Sequence, residues 1–272
     1  MSAKKVLFIS QEITPYVPET SLSKQGRILP QTMQENGWEI RTFLPKWGNI
    51  NERRNQLHEV IRLSGMNIII DDTDHPLIIK VASILPAHMQ VYFIDNEDFF
   101  QKRGMAFDAN GAEYADNAER AIFYARGVLE TVKKLRWCPD VIQCQGWMSA
   151  IVPFYVRTAY QDDPPFRDAK LVMSLGTDEL KQPLPENFAR ALAFRLATPE
   201  LIAEQHLNFK EPSDMLKLAL NFSDAVTQAT PNVNPEILDY AREKGLPILD
   251  YQEPENYSSA YNEFFSSLLP EE

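Results

Sequence analysis

Short apolar runs alternate with stretches of helical spacing along this chain, beginning with KVLFIS, a helical segment and then EIRTFLP. A strand feeding a helix that feeds a second strand closes as a right-handed parallel unit, because a right-twisted strand lets the helix pack back on the sheet only that way. Repetition of the unit dictates an α/β fold, Rossmann-like, with a mostly parallel sheet and helices on both faces. At 272 residues, 44% of them hydrophobic, the chain has ample material for one such core and a small appendage.

The individual runs extend this reading. A helix is predicted to start near Ser21 or Ser23, where a serine hydroxyl can cap free amides, with Leu22, Ile28, Leu29 and Met33 on its apolar face and Asn36-Gly37 ending it. MNIIIDD, PLIIKVASIL and MQVYFID follow without long helices between them. They read as strands, the first two a β-hairpin inserted over the sheet edge and the third returning to the main sheet. Asp71, Asp72, Thr73 and Asp74 lack calcium-loop spacing and read as an acidic hairpin turn. The longest helix is predicted over residues 117–136, with Asp116 and Glu119 in a capping-box arrangement and Ile122, Ala125, Leu129 and Val132 buried. DVIQCQ is a strand, GWMSAIVPFYVRTAY a helix and KLVMSLG a strand. Helical segments follow over residues 186–220, and DAVTQAT reads as the last strand of the sheet. The tail offers a short helix near residues 235–244, then PILDYQEPE, then the amphipathic YSSAYNEFFSSLL.

Composition excludes several function classes. A net charge of −11 disfavours nucleic acid and anionic membrane as partners. The basic clusters, Arg53-Arg54 and Lys133-Lys134 with Arg136, read as solvated helix faces. Neither a signal peptide nor an apolar run of about 20 residues is present, so a cytoplasmic protein without a membrane span is expected. Cys138 and Cys144 fit neither a disulfide framework nor a zinc site, and the four histidines show no metal spacing. The expectation is therefore no metal and no cofactor.

In open parallel sheets ligands bind outside the carboxyl ends of the strands. The loops that converge there are QEITPYVPETS, QCQGWM and SLGTDE, which bring Glu12, Thr14, Tyr16, Gln143, Gln145, Trp147, Thr177 and Asp178 together with Glu179 as candidate cleft residues. Amides, hydroxyls and an aromatic ring suit sugar hydroxyls; a diphosphate wants lysine, arginine, glycine amides or a metal. Lys24 and Lys46 are the cations expected to come within reach of the cleft, and neither sits in a glycine-rich loop. Trp147 is expected to pack a helix on the sheet more than to stack on a ligand. No G-x-S-x-G elbow is present and no histidine falls in these loops, so no catalytic residue is assigned. Glu12 with Asp178 or Glu179 could assemble a carboxylate pair, and surface acids are the plainer reading.

The stretch from KVLFISQEITPYVPETSLSK to FLPKWGNI resembles the opening of bacterial glycogen synthases and plant starch synthases. VYFIDNEDFFQKRG, YADNAERAIFYARG, DVIQCQGW and SDAVTQATP resemble later family stretches in the same order, covering Lys5 to about Ile237. The resemblance implies the N-terminal, acceptor-side half of a two-domain GT-B glycosyltransferase, which moves glucose from ADP-glucose or UDP-glucose to an α-1,4-glucan. It also marks departures. Pro18, Glu19, Thr20 and Ser21 stand where the family has Lys-Thr-Gly-Gly before a leucine matched by Leu22. Gln143, Gln145, Gly146 and Met148 stand for the histidines and aspartate of His-x-His-Asp-Trp-His, of which Trp147 is kept. Gly176 and Thr177 stand for a His-Asn pair.

These substitutions, with a chain that ends before a second nucleotide-binding domain, lead to the expectation of a family domain that is not catalytic by itself and binds carbohydrate or a protein. The alternatives are an acceptor-side half completed by a separate donor-binding chain, and an unrelated scaffold or regulatory role. Residues 1–234 are expected to form the Rossmann-like domain and 235–272 a tail whose helix packs back on it. Expected partners are an α-glucan or sugar, and a protein or second copy at the former interdomain face.

Overall fold

The computed structural model describes residues 3–177 and 180–270. Strand β1 (Lys5–Ile9) leads into α1 (Ser21–Glu35) and β2 (Glu39–Pro45). Strands β3 (His58–Glu59), β4 (Met66–Ile70), β5 (Thr73–Ile84) and β6 (Met89–Asp95) follow, then α2 (Asn117–Leu135) and β7 (Val141–Gln145). The rest comprises α3 (Val152–Arg157), β8 (Lys170–Leu175), α4 (Phe188–Leu192), α5 (Pro199–Ala203), α6 (Ser213–Asn221), β9 (Ala225–Gln228), α7 (Pro235–Glu243), β10 (Ile248–Leu249) and α8 (Tyr257–Ser267).

The sheet order is β10-β9-β8-β7-β1-β2-β6-β5-β3, with β4 paired on β5 outside that path. All neighbours from β10 to β6 are parallel. The antiparallel part is confined to β5, which pairs with β6, β3 and β4. The chain steps from β1 to β2 on one side and to β7 on the other, so a crevice opens at the carboxyl end of β1.

Side chains alternate across the sheet and separate two cores. Leu7 and Ile9 of β1 join the large core shared with α2, α3 and α6. Val6 and Phe8 face the other way, onto Leu29 and Met33 of α1 and Tyr257, Tyr261 and Phe265 of α8. Those aromatic residues repeat every fourth position, and burying each contributes roughly 2 kcal/mol. Trp38 Nε1 donates to Asn262 Oδ1 at 2.8 Å, and Gln25 Nε2 to the Tyr261 hydroxyl at 3.0 Å, which fixes α8 across α1. Helix α7 buries Ile237, Leu238 and Ala241 in the large core.

Four details depart from the sequence reading. The cap of α1 is Thr20, whose Oγ1 accepts from the Ser23 amide at 2.9 Å while Ser23 Oγ accepts from the Thr20 amide at 2.8 Å. Asp116 precedes α2 without capping it, because its carboxylate is held by Arg103 at 2.7 and 2.5 Å. The stretch after β7 is not one helix: Gly146, at φ 78°, turns the chain into a 3₁₀ turn, Trp147–Ser149, and Pro153 opens the separate α3. Finally β9 is not the last strand, since Ile248 and Leu249 pair beside it.

Candidate functional site

A cavity of about 280 Å³ lies at the carboxyl ends of β1, β8 and β9, lined by Glu12, Thr20, Ser21, Leu22, Thr177, Thr230, Pro231 and Asn232. The loop after β1 is drawn onto α1 by two close contacts. The Thr14 amide donates to the Ser23 carbonyl at 3.1 Å. A Cβ on Gly26 would come within 2.1 Å of the Glu12 carbonyl oxygen, so only glycine lets the helix approach this closely. The glycine that the first loop lacks is thus in the helix behind it.

Glu12 is 6% exposed, and its Oε2 accepts from Thr20 Oγ1 at 2.6 Å. Burial raises its carboxyl above the ordinary value, while the Thr20 and Gln11 hydrogen bonds pull the other way. The carboxylate lies beside the first turn of α1, where free amides and the helix dipole favour negative charge. An internal carboxylate therefore stands where an anionic ligand would otherwise be drawn.

The structure separates the remaining candidates. Thr177 is exposed and lines the cavity with Glu12. Thr14 is half-buried and engages through its backbone. Tyr16 is buried, its ring edge-on to Phe93 with centroids 4.9 Å apart, and burial pushes its hydroxyl up to about 12. Trp147 is 4% exposed and belongs to the large core, so its ring offers no open face for stacking. Gln143 and Gln145 are both 3% exposed. Gln145 Nε2 donates to the Leu22 carbonyl and to Gln25 Oε1, each at 3.1 Å, and Ser174 Oγ donates to the same Gln25 oxygen at 3.2 Å. Gln145, Gln25 and Ser174 thus form a bonded polar layer beneath α1, while the Oε1 atoms of Gln143 and Gln145 have no partner among the described residues. Asp178 and Glu179 lie outside the described residues.

Neither lysine named from the sequence reaches the cavity. Lys24 Nζ pairs with Glu19 at 2.6 Å on the surface. Lys46 is buried and pairs with Glu52 at 3.0 Å. The conspicuous run from Arg103 to Arg120 is likewise structural. Arg120 is fully buried and donates to the carbonyls of Met105 and Gly104 and to Asn117 Oδ1. Burial depresses its guanidinium to about 10. The Tyr114 hydroxyl accepts from the Gly104 amide at 3.0 Å, so this run stitches the loop before α2 to the helix.

Sequence reasoning missed Thr20, Ser21 and Leu22 as lining residues, and Thr230, Pro231 and Asn232 after β9. The carboxyl-end rule that selected the other loops applied equally to β9. Its loop reaches the cavity because β9 lies inside the sheet, between β8 and β10, which only the strand order reveals. Among the described residues no group of histidine, cysteine or carboxylate side chains has metal-holding geometry. No helix among them is long and apolar enough to cross a membrane.

Comparison with known proteins places these features in context. Residues 5–249 match the starch synthase catalytic domain family. A glycogen synthase of Chlorobium limicola is 32% identical over 235 residues, which cover 86% of this chain and 47% of that protein. One from Chlorobaculum tepidum is 37% identical over 172 residues, 63% of this chain and 35% of that protein. The chain spans about half the length of the first of these relatives. Among solved structures, the catalytic domain of starch synthase IV from Arabidopsis thaliana, bound to ADP and acarbose, superposes with a TM-score of 0.69 at 16% identity, covering 93% of this chain and 52% of that one. At that identity the likeness speaks for the fold.

Proposed function

The chain belongs to the starch synthase catalytic domain family, and from that premise we propose that it binds α-glucan or a related sugar without transferring glucose by itself. It is a glycogen/starch synthase-like glycosyltransferase domain, with the sheet of a GT-B half. The observation that carries the proposal is the lining of the 280 Å³ cavity: hydroxyls, an amide side chain and one carboxylate, with no lysine or arginine among its described residues. Neutral donors and acceptors match sugar hydroxyls. A sugar nucleotide would bring its diphosphate against Glu12 with no cation among the described lining residues to offset the repulsion. The positive end of α1 opposes this effect, but Thr20 Oγ1 already accepts from the Ser23 amide there. Proton transfer is equally unsupported, because the residues at the histidine positions are glutamines, whose amides carry no titrating proton, and both are buried beneath α1.

Calorimetric titration of the chain with maltoheptaose, ADP-glucose and UDP-glucose tests this reading. Saturable heat is expected with the oligosaccharide, and its affinity should fall in Asn232→Ala and Thr177→Val. Micromolar binding of either sugar nucleotide at this cavity would overturn the proposal in favour of the acceptor-side half of an active transferase. Absence of glucan binding would leave the chain as a scaffold.

A further inference from the structure

The net charge of this chain is −11, yet three arginines line a single pocket of about 460 Å³. The β4–β5 hairpin supplies Asn67, Ile69 and Asp71, α2 supplies Arg126, and the end of α4 with the residues after it supplies Arg190, Phe194 and Arg195. No residue of this lining belongs to the Glu12 cavity.

Arg126 is the buried member of the three. It is 6% exposed, yet among the described residues it forms no ion pair, and its Nε has no acceptor. Its polar contact is one hydrogen bond, from Nη1 to the Ile69 carbonyl. Its guanidinium carbon lies 3.7 Å from the centre of the Phe194 ring, and that of Arg195 lies 5.0 Å from the same ring. A buried charge with so little compensation is costly unless something else supplies it. Arg120 shows how this protein otherwise buries a guanidinium: three oxygen acceptors surround it. Arg126 lacks that set and borders an open pocket.

The other two arginines are held loosely. Arg190 pairs with Asp71 at 2.6 Å, but its side chain is 70% exposed. Arg195 reaches Asp163 at 3.5 Å and Glu130 at 3.7 Å, with its side chain 43% exposed. Exposed pairs of this kind contribute little, so both forks can turn to a ligand. Three arginines and one aspartate give the lining itself a formal charge of about +2, with Glu130 and Asp163 behind Arg195 as the carboxylates a ligand would displace.

We propose that this pocket binds a small phosphate monoester, with Arg126, Arg190 and Arg195 on the phosphate and Phe194 against its organic part. A monoester carries about −1.5 to −2 charge near neutral pH, which matches the lining. The planar guanidinium fork fits phosphate oxygens better than any other side chain does. The volume suits a molecule of that size. A nucleic acid would meet the acidic remainder of the surface.

Calorimetry with inorganic phosphate and with glycerol 2-phosphate, against glycerol and against chloride at matched ionic strength, tests the assignment. One saturable site is expected for both phosphates, at about 1 mM or tighter, and none for glycerol or chloride. Arg190→Ala should weaken it about tenfold, and Arg190→Ala with Arg195→Gln should remove it. Both residues are exposed, so the variants should fold even where Arg126→Met does not. Absence of saturable heat in the parent, or unchanged affinity in the double variant, would overturn the proposal. Sugar-nucleotide heat that disappears in Arg190→Ala belongs to this pocket and leaves the reading of the Glu12 cavity intact.

Discussion

The cavity at the carboxyl ends of β1, β8 and β9 and the pocket beneath the β4–β5 hairpin differ in the charge they present. The first holds hydroxyls, an amide and the half-compensated carboxylate of Glu12. The second holds Arg126, Arg190 and Arg195 around one phenyl ring. Position in the fold argues for phosphate chemistry in the first, because parallel sheets bind ligands there. The side chains argue for it in the second. The difference teaches that the crevice at the carboxyl ends of a parallel sheet can keep its shape without lining cations for a phosphate, while cations gather elsewhere. In the loop after β1, Thr20 serves as a helix cap for α1, and Glu19 pairs with Lys24 on the surface.

The comparison breaks first if the residues under the crevice turn out to be ligand contacts. Trp147→Ala is expected to cost about 4 kcal/mol in urea unfolding, as for other buried tryptophans. Full stability with weakened glucan binding would instead make Trp147 a binding residue. Next in size is Gly26→Ala, which forces a methyl against the Glu12 carbonyl and should cost about 2 kcal/mol. It should also weaken glucan binding, because α1 and the loop after β1 are pushed apart. An unchanged midpoint would mean that their close approach is dispensable.

A smaller, pH-dependent effect isolates Glu12. Burial raises its carboxyl above the ordinary 4.5, so the folded state holds its proton more tightly than the unfolded chain does. Its favourable contribution is complete below about pH 4.5 and is lost as pH rises through the raised value. Glu12→Gln keeps an acceptor for Thr20 and removes that loss. The melting temperature of the variant relative to the parent should therefore climb between pH 4 and pH 7. A constant difference would show that the carboxylate is well solvated. Smallest of all is Glu19→Ala. The Glu19–Lys24 pair is exposed on both sides, and its loss should shift stability by less than about 0.5 kcal/mol.

Much of the fold was legible because it rests on periodicity. The predicted ranges of β2 and α1, the hairpin of β4 with β5 and the return of β6 to the parallel sheet all follow from apolar spacing and turn residues. What escaped depends on contacts between segments distant in sequence. Asp116 has the sequence position of a cap, but Arg103 claims its carboxylate. Gln145 looks like a cleft residue until Gln25 and the Leu22 carbonyl close over it. Of the candidate cleft residues, Glu12 and Thr177 meet in one cavity, and their neighbours from β9 needed the sheet order to be known. The arginine pocket had no signature in the chain, because its side chains come from α2 and from the end of α4 and carry no motif.

The most direct test of the contrast is an amide chemical-shift titration of the ¹⁵N-labelled chain with inorganic phosphate. The expected result is saturable movement at Ala193, Phe194 and Arg195 with Thr20, Ser21, Thr177 and Asn232 unmoved. Movement at Thr20, Ser21 and Thr177 with the arginine pocket silent would contradict it, by showing that the crevice still recognises phosphate.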